Sequence, residues 1–136
     1  ESCCHLILNL PWDDMDDVTE AAKIVSALGI KQIKLHSLYI LQDTELGRMY
    51  EDGEITIISV DEYVNRVVRF IELLNPEVAI QRLAGRAPKE STLFCNWDMS
   101  WWRIRDMIEE QLEDQDVYQG SKFDYLKGKA VKKFID

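Results

Sequence analysis

The sequence predicts an α/β fold in which parallel strands carry helices mainly on one face. Three segments with strand-like apolar patterns lie near residues 4–10, 33–41 and 78–83. Segments between them repeat apolar residues at helical spacing. Strands that alternate with helices form βα units and a parallel sheet, and right-handed crossovers favour a sequential strand order with helices on one side.

The first strand, CCHLILNL, has two different faces. Its leucines share one face, and the other face holds His5, Ile7 and Asn9. Pro11 ends the strand because proline cannot donate to a ladder of backbone hydrogen bonds. An acidic loop then leads into a helix that ends at Gly29, where a left-handed cap residue is expected.

The central strand, predicted over 33–41, is apolar along its helix-facing side. The other side begins with Lys34 and His36 and becomes apolar at Leu38 and Ile40. A strand buried between two helix layers is almost continuously apolar. Lys34 and His36 therefore indicate a wall that faces a hydrated cavity. A satisfied polar pair at a strand end is the alternative.

Three further helices are predicted from capping residues and apolar spacing. Thr44, or the aspartate before it, caps a short helix that Gly53 closes. Ser59 and Glu62 match a capping box in front of a longer helix. After the third strand and a loop, a tryptophan-rich helix is expected from about 100 to 113.

Composition excludes several classes of protein. The formal net charge of −9 argues against a general polyanion binder, because phosphate affinity needs clustered Lys and Arg. No apolar run approaches the roughly 20 residues of a membrane span, so no membrane association is expected. Three cysteines without C-x-x-C spacing suit a reducing cytosol, and we predict a cytoplasmic location.

The domain organisation predicted is one folded unit over 1–116 and a loosely packed, Lys-rich tail over 117–136. The acids between residues 13 and 17 suit the start of a solvated helix better than a Mg²⁺ pocket. The tryptophans at 97, 101 and 102 are more typical of a core than of a base-stacking surface. A metal site at His5 with the preceding cysteines is disfavoured, because adjacent strand residues point to opposite faces.

Two segments, HLILNLPWDD and KLHSLYILQDTELGRMYEDGE, resemble a known family. They are similar to the C-terminal half of radical S-adenosylmethionine (radical SAM) enzymes, in the Fe–S oxidoreductase group related to oxygen-independent coproporphyrinogen oxidase and Elp3-like proteins. That group typically reads HLILGLPGE and KLHLLHVLKGTPLA in the corresponding strands. Asn9 and Trp12 stand where glycines are usual, and Asp13 stands for the acid. The resemblance extends from His5 to about Gly120.

The resemblance implies the C-terminal half of a partial TIM-type (βα) barrel, with the ligand at the carboxyl ends of the strands. It also implies SAM and a [4Fe–4S] cluster in the parent protein, with the cluster cysteines upstream and neither cofactor bound to this part alone. The adenine of SAM would lie against the wall formed by Ile7, Asn9, Leu10, Pro11, Leu38 and Ile40. Lys34 and His36 would face the substrate or the polar groups of SAM as catalytic residues.

Three functional classes follow. The first is a part of a radical SAM oxidoreductase that is inactive alone, whose partner is the N-terminal half of the same barrel. In this case the exposed edge of the first strand would favour self-association. The second is a self-contained α/β binding or signalling module. The third is an RNA-interaction domain that uses the tryptophan helix and basic tail, which the acidic balance disfavours.

Overall fold

The computed structural model describes residues 3–81 and 92–123. The strands are β1 (Cys3–Ile7), β2 (Gln32–His36), β3 (Tyr39–Leu41), β4 (Ala79–Ile80) and β5 (Thr92–Cys95). The helices are α1 (Met15–Ala27), α2 (Glu45–Glu51), α3 (Val60–Leu73) and α4 (Trp101–Asp114), with a short 3₁₀ turn at Asn96–Asp98. None of the described helices has the length and apolar character needed to cross a membrane.

The main sheet contains β1, β2 and β4, in that order. Both pairings are parallel; Cys3 lies opposite Gln32, which in turn lies opposite Ala79. Leu6, Ile33 and Leu35 point into one core together with residues of α1, α3 and α4. The predicted α/β class, parallel pairing, strand order and one-sided helix layer are confirmed.

The central strand is not continuous to Leu41, as the sequence predicted. It ends at His36, and β3 pairs in antiparallel fashion with β5 in a second sheet. The physical reason is a change of parity: Leu35 and Ser37 are buried, but so are Leu38 and Ile40. A strand of period two cannot bury both sets on one face, so the strand is interrupted at Ser37 and Leu38.

Two other strand boundaries also differ from expectation. The first strand ends at Ile7 rather than at Leu10. The third consists of Ala79–Ile80, and the predicted positions 82–83 lie outside the described residues. Strand β5 lies where a loop was expected, because Leu93 and Phe94 pack against a second core around Ile40.

The predicted helix starts are confirmed by their capping contacts. Thr44 and Ser59 each accept a hydrogen bond from a backbone N–H of the first turn. The acid run forms a helix start: Asp14 caps α1, and Asp17 completes a capping box. Gly29 has the left-handed φ of 70° that its C-terminal cap position favours.

The chain after α4 contacts the carboxyl end of α3 up to residue 123. The N–H of Gly120 donates to the Ile71 carbonyl at 3.0 Å, and the N–H of Lys122 donates to the Glu72 carbonyl at 2.7 Å. The first residues of the predicted tail are therefore held by backbone hydrogen bonds. The rest of that tail, with its remaining lysines, lies outside the described residues, and the boundary at 116 remains a prediction.

Candidate functional site

The main sheet has one face away from the helices, which we call the open face. Its residues are Cys3, His5 and Ile7 on β1, Gln32, Lys34 and His36 on β2, and Ala79 on β4. The β1 residues of this face are exposed and the β2 residues are half-buried. The opposite residues, such as Leu35, are fully buried in the core. In a TIM-type barrel this face is the lumen side.

His5 and His36 contact each other across β1 and β2. Nδ1 of His5 lies 2.8 Å from Nε2 of His36. The ring planes differ by 7° and the centroids are 5.0 Å apart. That separation is close to the N···N distance plus the two ring radii, so the rings lie edge to edge and nearly coplanar. One ring therefore donates and the other accepts, which fixes the tautomer of each ring relative to the other.

Lys34 is the direct neighbour of this pair. It lies opposite His5 in the parallel register and is half-buried. No ion pair among residues 3–81 and 92–123 includes its ammonium group. The sequence placed His5 on the lumen side of the first strand and Lys34 and His36 on that of the central strand, and the structure brings the two strands together as neighbours.

The carboxyl ends of β1 and β2 meet in a buried polar cluster. Asn9 is 1 % exposed, and its Oδ1 accepts a hydrogen bond of 2.8 Å from the N–H of Leu38. Its Nδ2 has no hydrogen-bond partner among the described residues. The hydroxyl of Ser37 donates to Oδ1 of Asn96, which is also buried. Asn9 thus binds the backbone at the point where the central strand leaves the main sheet.

Arg66 belongs to the same region and was missed by the sequence analysis. Only 5 % exposed, it donates from Nη1 to the Leu8 carbonyl at 3.1 Å, and its Nε lies 3.4 Å from a carboxylate oxygen of Glu62. The sequence did contain an indication of this buried arginine, because Arg66 interrupts the apolar face of α3 between Tyr63 and Phe70. Asn96 had no comparable signal, since it lies in an irregular turn.

A cleft of about 370 Å³ runs beside β1. It is lined by His5, Leu6, Ile7, Leu8, Leu10, Asp13, Asp17, Val18 and Ala21. Burial, with the Asp17 carboxylate as second cause, raises the pKa of Asp13, whereas the Arg66 guanidinium opposes this shift. Among the described strands β1 pairs only with β2, so its other edge borders this mainly apolar cleft.

The predicted adenine-wall residues differ in accessibility. Ile7 is 36 % exposed at the carboxyl end of β1, and Leu10 and Pro11 are half-buried. Leu38 and Ile40 lie in the second core, where Ile40 is 1 % exposed. Their contact with a ligand stays a prediction.

The tryptophans are divided between core and surface. Trp97 donates from its ring nitrogen to the Ile58 carbonyl at 2.8 Å, and Trp101 packs against the main core. Trp102 is 55 % exposed. The core interpretation therefore holds for the first two and not for Trp102.

Comparison with known proteins identifies the class. The family model of the radical SAM C-terminal domain matches residues 30–114, more than half of the chain. The truncated Elp3 of the archaeon Methanocaldococcus infernus has a similar fold: its TM-score is 0.67 at 13% identity, over 86% of this chain and 28% of that one. The chain belongs to the radical SAM family, as its C-terminal domain.

The curated relatives are uncharacterised proteins. YtqA of Bacillus subtilis is 34% identical over 129 residues, which are 95% of this chain and 40% of the relative. MJ0486 of Methanocaldococcus jannaschii is 33% identical over 89% of this chain and 38% of the relative. YhcC of Escherichia coli is 27% identical over 88% of this chain and 38% of the relative. The chain thus spans about 40% of the length of the first of these relatives.

Proposed function

We propose that this chain is the part of a radical SAM iron–sulfur oxidoreductase that forms the adenine-side wall of the SAM site and part of the substrate lumen. One observation carries this proposal. The open face of a parallel sheet in a radical SAM domain bears a hydrogen-bonded pair, His5 and His36, beside Lys34. His36 is the last residue of β2, and catalytic residues of TIM-type barrels come from the carboxyl ends of the strands.

The carboxyl ends of the strands have the chemistry that an adenine ring requires. Ile7 offers an exposed apolar side chain there. The buried Nδ2 of Asn9 is a donor without a partner among the described residues, and burying such a group is unfavourable unless something accepts its hydrogen bond. A heterocycle with an apolar face would contact Ile7. Leu10 and Pro11 would border it, with Leu38 and Ile40 as the packed layer behind.

SAM and a [4Fe–4S] cluster, when bound, supply the reductive radical chemistry of this class. The proposal assigns the cluster-binding cysteines to another part of the parent protein. No group of three or more His, Cys, Asp or Glu within the described part of the chain is placed to hold a metal ion. This chain's own residues orient the ligands: His36 is held by His5 and can accept or donate a proton at the lumen side.

The partner that we propose is the N-terminal half of the same barrel. The outer edge of β1 is unpaired within the described part of the chain and borders an apolar cleft. A further strand and helix there would continue the parallel sheet, and the relatives have enough additional length to supply them. Without that half, we expect the chain to self-associate at this edge, to bind SAM weakly and to be inactive.

The location that we propose is cytoplasmic. No disulfide joins any two of Cys3, Cys4 and Cys95. A reducing compartment keeps thiols in this state.

The test uses the full-length parent protein and the variant His36→Ala. We expect reductive cleavage of SAM coupled to turnover to fall by about 10²-fold, the lower end of the usual loss for a general acid or base. The iron and sulfide content should remain unchanged. Gln32→Ala is the matched control, because Gln32 lies on the same strand and face but at the amino end, where it contacts Gln81.

Two outcomes would contradict the proposal. Unchanged turnover in His36→Ala would remove His36 from the site. A parent protein that contains no iron–sulfur cluster and does not cleave SAM would overturn the assigned chemistry itself.

A further inference from the structure

The open face differs in charge from the rest of the chain. The whole sequence has 25 acidic and 16 basic residues. Yet no strand residue of the open face, within the described part of the chain, is an aspartate or glutamate. Its ionisable nitrogen groups are those of His5, Lys34 and His36. An acidic protein with a basic wall inside its proposed lumen has a charge pattern that surface solubility does not explain.

Lys34 differs from Arg66 and Glu72, the buried charged side chains of the described part of the chain. Arg66 pairs with Glu62, and Glu72 contacts both Arg69 and Lys122. Lys34 is half-buried, and no carboxylate among the described residues lies within ion-pair distance of it. Partial removal of an ammonium group from water is unfavourable unless an anion compensates for it. Within the described part of the chain, no carboxylate supplies this compensation for Lys34.

The histidine pair contributes donors at the same place. The hydrogen bond between Nδ1 of His5 and Nε2 of His36 uses one N–H of the pair. In either neutral tautomer, one of the two outer ring nitrogens carries a second N–H. Protonation of the pair places an N–H on both outer nitrogens. The ammonium of Lys34 and the outer N–H of His5, present when His36 donates to His5 or when the pair is protonated, thus offer two different donors to one anionic group.

The acids that line the cleft beside His5 do not form an ion pair with this wall. Asp13 and Asp17 line the cleft that His5 also borders, but they belong to the start of α1 rather than to the sheet face. Asp17 is engaged in the capping box with the Asp14 backbone. Asp13 has a raised pKa because of burial, which disfavours its charged form.

From this arrangement we infer that the open face binds an anionic oxygen group, a carboxylate or a phosphate, with Lys34 as counter-ion and the His5–His36 pair as hydrogen-bond donor. That the anion belongs to the substrate rests on the proposed function. The binding of the anion does not, because it requires neither SAM nor a cluster. The inference thus names the chemical class of the group that the lumen recognises.

The experiment titrates the 136-residue chain with two probes, glutarate and inorganic phosphate, at constant ionic strength. NMR follows the ring resonances of His5 and His36 and the resonance of the Lys34 ammonium group. We expect saturable shifts with at least one probe, and the tighter probe distinguishes a carboxylate from a phosphate site. Glutaramide, which has the shape of glutarate without its charge, should cause no shift.

Two lysine variants and one control separate the site from general charge effects. Lys34→Met should weaken the affinity for the probe by about tenfold or more. Lys34→Arg keeps the charge and should retain most of that affinity. Lys31→Met removes an equal charge from an exposed position just before β2 and should leave binding unchanged. Circular dichroism of each variant shows whether the fold is preserved.

Several results would overturn the inference. They are the absence of saturable shifts with both probes, equal shifts with glutaramide, or equal losses in Lys31→Met and Lys34→Met. Because no SAM is present, these outcomes are independent of the assay in the parent protein. Anion binding in a parent that does not cleave SAM would preserve the inference and refute the proposed chemistry.

Discussion

Nδ1 of His5 and Nε2 of His36 lie 2.8 Å apart across two parallel strands whose register places the two residues diagonally. His5 is opposite Lys34, and His36 is opposite Ile7. Diagonal neighbours on one face of a sheet are within reach of long or ring-shaped side chains. The contact therefore fixes the orientation of His36, the residue that we propose as proton donor or acceptor.

The first prediction concerns this pair. In His5→Ala, we expect the ring ¹⁵N shifts of His36 to change, because its hydrogen-bond partner is lost. The free energy of unfolding should change by no more than about 0.5 kcal/mol, since His5 is exposed. Cys3→Ala, on the same exposed face of β1, is the control and should leave the His36 ring signals in place. Unaltered His36 signals in His5→Ala would show that the contact does not exist in solution.

The second prediction concerns Asn9. In Asn9→Ala, the buried N–H of Leu38 loses its acceptor, and unfolding free energy should fall by about 1–3 kcal/mol. Asn65→Ala removes a hydrogen bond to Gln111 at an exposed position and should cost less than about 0.5 kcal/mol. Urea denaturation of both variants measures the difference. Equal stabilities would mean that the turn at Ser37 and Leu38 does not depend on Asn9.

The third prediction compares neighbouring acids with opposite pKa shifts. A raised pKa means that the folded state binds protons more tightly than the unfolded chain. The loss of unfolding free energy caused by Asp13 therefore grows as the pH rises through that pKa. Asp14 has a lowered pKa, first because the backbone of Asp17 donates to it. Its stabilisation is present above the pKa of the unfolded chain and is lost as the pH falls through the lowered value.

Asp13→Asn should therefore raise the melting temperature at neutral pH, and Asp14→Asn should lower it. Both differences in melting temperature should shrink below about pH 4, which is close to the ordinary pKa of aspartate. Melting curves across the acidic range test this expectation. Shifts of the same sign in both variants at neutral pH would refute the opposite roles.

The fourth prediction concerns Gly120, which contacts the end of α3. Gly120 has a φ of 82°, and an added Cβ would lie 2.7 Å from Cδ of Pro76. Gly120→Ala should therefore combine left-handed strain of about 1–2 kcal/mol with displacement of the segment from α3. Gly29→Ala has similar strain at a φ of 70° but meets no atom within 4 Å.

Hydrogen exchange distinguishes these two glycine variants. The amide of residue 120, which donates to the Ile71 carbonyl, should exchange faster in Gly120→Ala and normally in Gly29→Ala. Unchanged protection in Gly120→Ala would mean that the proline moves away at little cost.

The sequence by itself determined the class of fold and the polar wall. Alternation on β1 and β2 placed His5, Lys34 and His36 on one side, because side-chain direction in a strand follows a period of two. Helix starts at Thr44 and Ser59 were predictable, since a capping side chain acts on the backbone of its own first turn. These features are local, so nearby residues suffice to specify them.

The tertiary structure alone decided where the central strand ends and what surrounds the wall. The backbone of Leu38 donates to Asn9, which is 29 residues away, and Ser37 donates to Asn96, which is 59 residues away. Arg66 reaches the Leu8 carbonyl across 58 residues. Local periodicity does not predict such contacts. They form only when distant segments bury each other's polar groups, which must then be hydrogen-bonded.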